Sequence, residues 1–140
     1  MTEDASSGDA PETDGDTTDE IEIRHGRESD LLDALRILEG AMLKIGASQI
    51  RKRTESGEML VAEIDGRIVG ALVRDGEHVE AIAVRPQRRG SGVGHRLIKE
   101  ALAETGGLTV EFREEVRPFY ESLGFDIEER EERLWGERHQ

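Results

Sequence analysis

The chain contains no cysteine, which excludes a disulfide framework, a thiolate metal site and a cysteine nucleophile. Lysine is nearly as scarce, occurring only at positions 44, 52 and 99. No stretch approaches the ~20 consecutive apolar residues of a membrane span. Met1–Glu20 likewise has no apolar run of the kind a signal peptide needs. A cytoplasmic protein with no membrane partner is the expectation. Hydrophobic residues make up only 35% of the 140 positions, enough for one modest core and not for two.

What the chain has in excess is acid. Asp and Glu number 32 against 19 Lys and Arg, a formal net charge of -13. Seven of the acids fall in residues 1–19, which hold no Lys or Arg, so residues 20–140 carry a net of only -6. Residues 1–19, rich in Asp, Thr, Ser and Gly with nothing to bury, read as a disordered acidic tail ahead of a domain at 20–140. Charge of this sign argues against nucleic acid as a partner. The surplus of acid over lysine resembles the composition of cytosolic proteins from salt-loving organisms, whose surfaces stay hydrated when salt screens their repulsion.

The pattern predicts an α/β domain with a mixed sheet. A short strand at Glu20–Arg24 leads to a helix with Ser29 as N-cap. Leu31, Leu35, Leu38, Met42 and Ile45 follow at helical spacing, and Gly46 is the stop. Ala47–Ser56 reads as a second, shorter helix. Met59–Ile64 and Arg67–Val73 flank Asp65-Gly66, and Asp75-Gly76 separates Val73 from His78–Val84, giving a three-strand antiparallel meander. A loop, a helix from about Gly92 to Glu104 and a strand at Leu108–Phe112 then form a β-α-β unit with parallel strands. A short helix across Pro118–Leu123 and strands near Phe125–Glu129 and Arg133–Glu137 complete the order β-α-(α)-β-β-β-α-β-α-β-β.

The chemistry concentrates where the third meander strand meets the next helix. Gly90, Gly92 and Gly94 let backbone rather than side chain face outward there, and the free N–H groups of the helix start add positive potential. Between Arg85 and Lys99 stand five Arg or Lys residues plus His95 and no acid. In so acidic a chain, that patch points to a polyanionic ligand. A dinucleotide-binding turn usually follows the first strand of a parallel sheet, not a meander, and a P-loop would carry Gly-Lys-Ser/Thr where this chain has Gly94-His95-Arg96. A glycine-capped helix with a merely solvated basic face is the plainer alternative.

A second segment favours a specific family. Pro118-Phe119-Tyr120-Glu121-Ser122-Leu123-Gly124-Phe125 resembles the C-terminal motif of the GNAT N-acetyltransferases. Arg89-x-x-Gly92-x-Gly94 resembles their pyrophosphate motif, preceded by the matching strand end Ala83-Val84-Arg85-Pro86. The resemblance covers residues 58–127 clearly and 20–57 more loosely.

It implies acetyl-CoA as co-substrate and a small-molecule amine or protein amino group as acceptor, with no metal. Backbone groups of Ile82 and Val84, in the strand end that includes Ala83, would pair with the pantetheine arm. N–H groups of Arg89, Gly90, Ser91, Gly92, Val93, Gly94 and His95 would hold the pyrophosphate. Tyr120 would protonate the departing thiolate, with Phe119 and Phe125 packing beside it. Glu80 is the first candidate for general base, because four residues before Val84 on a regular strand it shares that residue's face; Glu111 on the adjacent strand is the second, ahead of His78 and His25. Trp135 is expected to cover the core, with a place lining the acceptor cleft as the alternative. Arg113 stands where many family members carry Asn, and the short span Arg27–Gly57 leaves room for a homodimer to complete the acceptor pocket. A non-catalytic acyl-CoA-binding module on the same fold is the alternative function.

Overall fold

The computed structural model describes residues 20–41 and 45–140. Its seven-stranded mixed sheet has the order β1-β2-β3-β4-β5-β7-β6, and its elements follow the sequence order expected of them. They are β1 (Glu22–His25), α1 (Leu31–Gly40), α2 (Ala47–Glu55), β2 (Met59–Ile64), β3 (Arg67–Asp75) and β4 (His78–Val84). After these come α3 (Val93–Thr105), β5 (Gly107–Phe112), α4 (Arg117–Ser122), β6 (Asp126–Arg130) and β7 (Arg133–His139). The acidic segment 1–19 and the Met42 helix position lie outside the described residues. Among the described residues, no helix is long and apolar enough to cross a membrane.

Two cores sandwich the sheet. On one face α3 presents Val93, Leu97, Ile98, Ala101 and Leu102 at helical spacing, buried against Leu60, Leu72, Leu108 and Val110. On the other, Ala34, Ile37 and Leu38 of α1 and Ile50 of α2 cover Met59, Val61, Ala71 and Val73. Covered on both faces, β2 and β3 read as nearly unbroken apolar runs. The edge strand β6 is mostly exposed and polar. Each fully buried Leu or Ile contributes about 1.5–3 kcal/mol, so these few residues carry much of the fold.

Four local expectations are corrected. The first helix stops at Gly40, with the Ala41 N–H closing onto Ile37 and Leu38 carbonyls, because glycine weakens the helix before Gly46 is reached. Its start is secured by Asp30 rather than Ser29. That buried carboxylate accepts the Arg27 N–H at 2.7 Å and two Arg24 bonds at 2.8 and 3.2 Å, which hold its pKa below the ordinary carboxylate value. The Asp65-Gly66 hairpin has both residues at positive φ, 51° and 78°, as a tight turn of that type requires. The second hairpin, however, turns on Gly76-Glu77, since Asp75 pairs with His78. The fourth correction is a β-bulge in β4: Val73 pairs with Ala81 but Arg74 with Val79, so Glu80 is the extra residue.

Candidate active site

The site is built where β4 parts from β5. Their parallel pairing is confined to His78↔Thr109 and Val79↔Val110. On its other side β4 runs antiparallel to β3, and the Arg85 N–H donates to the Val69 carbonyl at 2.8 Å. Bonded pairs alternate along such a ladder, so Ala83 and Ala81 bond across to Ala71 and Val73. Ile82 and Val84 therefore turn their N–H and C=O groups toward the gap between β4 and β5. Ala83 does not share that role; its peptide groups face β3 and its side chain belongs to the core under α1. The Val84 carbonyl accepts a long 3.4 Å bond from Arg89 Nε.

The gap leads up to the glycine turn. Gly90 and Gly92 have φ of 81° and 92°, in the left-handed region that side chains avoid. Gly92 is the N-cap of α3 and no side chain caps the helix. The first helical bond is Arg96 N–H to the Gly92 carbonyl at 3.0 Å. The N–H groups of Gly90, Gly92, Val93, Gly94 and His95 consequently have no protein acceptor among the described residues. Arg89 and Ser91 do not join them, because their N–H groups close turns onto the Pro86 and Arg88 carbonyls. Uncapped amides at the positive end of a helix dipole are what an anion cradle requires. Of the cations around it, Arg85 binds the Ile68 carbonyl at 2.8 Å and Arg96 the Ile21 carbonyl at 3.1 Å, while Lys99 is exposed.

Tyr120, the chain's single tyrosine, stands on the same side of the sheet as this turn. Its ring packs against Phe112 at the end of β5 (4.4 Å between centroids), Phe119 (4.9 Å) and Phe125 (5.1 Å), in the core that Ile82 and Val84 border. The residue is 2% exposed, yet no hydrogen bond joins its hydroxyl to a described residue. The hydroxyl is also absent from the fully enclosed unpartnered atoms, of which Arg74 Nε is the one found among the described residues. Burial pushes the phenol well above its ordinary pKa, so it keeps its proton at neutral pH.

Glu80 is placed otherwise than the strand periodicity implied. The bulge turns it to the α2 side, away from Val84's face, where Arg53 grips it through Nε at 2.8 Å and Nη2 at 3.0 Å. Arg53 first, then Gln49, lower the pKa of this carboxylate against the opposing effect of burial. Nothing in the sequence marked Arg53, one of several cations on a polar helix. A depressed folded-state pKa means stability that is present above the unfolded value of 4.5 and lost as pH falls through the folded value. Glu80→Gln should accordingly cost about 1–2 kcal/mol at pH 7, a deficit that shrinks below pH 4.5 and closes once urea melts are repeated below the folded-state value. A deficit of equal size at both pH values would contradict the pairing.

The remaining candidates are dispersed. His25 binds Glu104 at 2.8 Å, near the far end of the 13-residue helix α3, about 16 Å from the glycine turn at 1.5 Å per residue. His78 Nδ1 lies 2.9 Å from Thr109 Oγ1, and its ring stacks on Trp135 at 5.5 Å. Trp135 belongs to neither core; it stands half-buried on the α2 side of β7 with the Arg130 guanidinium 4.3 Å over its ring. The expectation that it covers the core is overturned by strand alternation, which gives the inward positions to Leu134 and Gly136. Glu111 is exposed on that same open face, opposite Trp135. Arg113 is exposed just beyond β5.

Comparison with known proteins gives this geometry a context. The sequence profile of the acetyltransferase (GNAT) domain matches residues 39–139. A peptidyl-lysine N-acetyltransferase of Salmonella typhimurium is 36% identical over 67 residues, a stretch covering 46% of this chain and 46% of that protein. The chain thus matches just under half the length of that curated relative. A glucosamine 6-phosphate N-acetyltransferase of Trypanosoma brucei brucei is 30% identical over 140 residues, 82% of this chain and 95% of its own. Among solved structures, a GNAT-family acetyltransferase from Bacillus cereus superposes with a TM-score of 0.74 at 17% identity, over 86% of this chain and 98% of that one, a likeness of fold. With the profile spanning most of the chain and the Trypanosoma relative aligned nearly end to end, the chain belongs to the GNAT family of N-acetyltransferases.

Proposed function

We propose that the chain is an acetyl-CoA-dependent N-acetyltransferase that promotes direct attack of a primary amine on the acetyl group in a ternary complex. The observation that carries this is the parting of β4 from β5 at Val79, which leaves the peptide groups of Ile82 and Val84 aimed into a gap that ends on five amides with no acceptor among the described residues. An extended, amide-bearing arm fits the strand edge as an added strand, and a pyrophosphate fits the cradle.

Bound there, acetyl-CoA would supply an acyl group activated as a thioester. The chain's own residues do the rest. The amides of Gly92–His95 fix the anionic end, and the edge of β4 fixes the arm, so the amine's encounter becomes effectively intramolecular. Tyr120 holds a proton at its hydroxyl and donates it to the leaving sulfur. Glu80, already bound by Arg53, serves better as an anchor for the β4 bulge than as a proton acceptor, and the base is assigned to no residue.

The open face of the sheet favours one acceptor class. Beside α1 and α2, that face of β5, β7 and β6 presents Glu111, Glu137, Asp126 and Glu128 near Trp135, against Arg130 over its ring and Arg133 beside it, a surplus of acid. Such a surface attracts an ammonium and repels a phosphate, so of the acceptors named for the two relatives a lysine side chain suits it better than an amino-sugar phosphate. Acetyl-CoA should release free thiol with lysine-containing peptides at a kcat/KM at least tenfold above that for glucosamine 6-phosphate, a difference of about 1.4 kcal/mol. Tight CoA binding by calorimetry without thiol release on any amine would support a binding module instead.

A further inference from the structure

We propose that His95 is a positioning residue, whose imidazole couples the phosphate-binding turn to the helix that carries Tyr120. The proposal rests on Tyr120 being the proton donor. Helix α4 has only six residues, too few to hold a place by its own hydrogen bonds, so its position is set by what it packs against. On one side Tyr120 sits among Phe112 and Phe125. On the other, α4 meets the first turn of α3. Gly94 leaves room there for Phe119, whose Cε1 would lie 3.0 Å from a Cβ at that position. The His95 ring meets Phe119 edge-on at 5.3 Å, and its Nε2 lies 3.2 Å from Ser122 Oγ.

The direction of that last bond follows from counting protons. The Ser122 hydroxyl has one hydrogen and donates it to the Phe119 carbonyl at 2.7 Å. Toward His95 it offers only lone pairs, so Nε2 carries the hydrogen and donates. His95 therefore acts twice. Its backbone N–H belongs to the anion cradle, and its side chain clasps the turn of α4 that bears Phe119 and Tyr120. Among the described residues, no other cradle residue has a side-chain hydrogen bond to α4. Phosphate seated on the cradle and the phenol of Tyr120 are thereby held in one frame, the kind of fixed geometry on which proton donation depends.

His95→Ala should lower kcat about fivefold, the worth of one hydrogen bond with its packing. KM for acetyl-CoA should change less than twofold, since the backbone N–H survives. His95→Gln, whose amide nitrogen reaches the place of Nε2, should restore most of kcat, and His95→Asn, which reaches only the place of Nδ1, should not. Ser122→Ala should match His95→Ala, and the double variant should be no slower than either; this second site keeps the test open if melting curves show that His95→Ala is not folded. In a Tyr120→Phe background His95→Ala should have almost no effect on kcat, because no donor is left to misplace. An undiminished fivefold loss in that background would mean general damage and would overturn the coupling, as would unchanged kcat in both His95→Ala and Ser122→Ala. If Tyr120→Phe alone leaves kcat intact, it is the proton-donor assignment that fails first, and a loss confined to His95 and Ser122 identifies that case.

Discussion

Gly92→Trp is expected to abolish turnover while leaving the protein folded. At φ of 92° the position strains any residue with a Cβ, at a cost of about 1–2 kcal/mol. That is tolerable at an exposed turn, and apart from its chain neighbours no described residue has a heavy atom within 4 Å of where the Cβ would stand. The open space is the cradle itself. An indole there covers the amides of Gly92–His95, which in the proposed reading supply the main affinity for a pyrophosphate. Calorimetry should find CoA binding weakened at least 100-fold, about 2.7 kcal/mol or more, with a melting temperature within a few degrees of the parent. Gly92→Ala should fall between, showing strain without full occlusion. Ordinary CoA affinity in the tryptophan variant would place the cofactor elsewhere.

Tyr120→Phe should separate chemistry from binding. The ring keeps its contacts with Phe112, Phe119 and Phe125, and the lost hydroxyl had no protein partner among the described residues. Stability should therefore be unchanged or slightly raised, in contrast to a tyrosine whose hydroxyl anchors the core. If that hydroxyl instead protonates the leaving thiolate, kcat should fall about 100-fold, with KM for acetyl-CoA nearly constant, the pattern of an interaction made only as the reaction proceeds. The pH profile offers an independent check. Burial raises the phenol's pKa, so the parent should show no loss of kcat from deprotonation of this group below pH ~10. A Tyr120→Phe enzyme with parental kcat would leave the tyrosine a packing residue.

The order of elements was legible because its signals are local. Asp65-Gly66 can hardly be other than a tight turn, and the apolar stripe of α3 needs only helical spacing to be seen. Gly92 announced itself in the same way, since a left-handed residue before an apolar helix leaves few alternatives to glycine. The errors arose where distant neighbours decide. Glu80 was assigned to the face of Val84 by strict alternation, but one extra residue against β3 reversed it. Trp135 does not cover the core as expected, because its place depends on β7 lying between β5 and β6 with its other positions turned inward. Helix α1 was extended past Gly40 because hydrophobic spacing continued beyond the point where the backbone stopped.

Sequence by itself thus determined the α/β class, the left-handed glycine turn before α3 and the family resemblance, all properties of short stretches whose backbone preferences and spacing need no partner. Tertiary structure alone decided that the peptide groups of Ile82 and Val84 face a gap, that Arg53 holds Glu80, and that His95 reaches Ser122. These relations join residues 27 to 31 positions apart in the chain, and only strand divergence, a bulge and helix packing bring them together. Local preference cannot encode such contacts, because each is the outcome of how the two cores settle against the sheet.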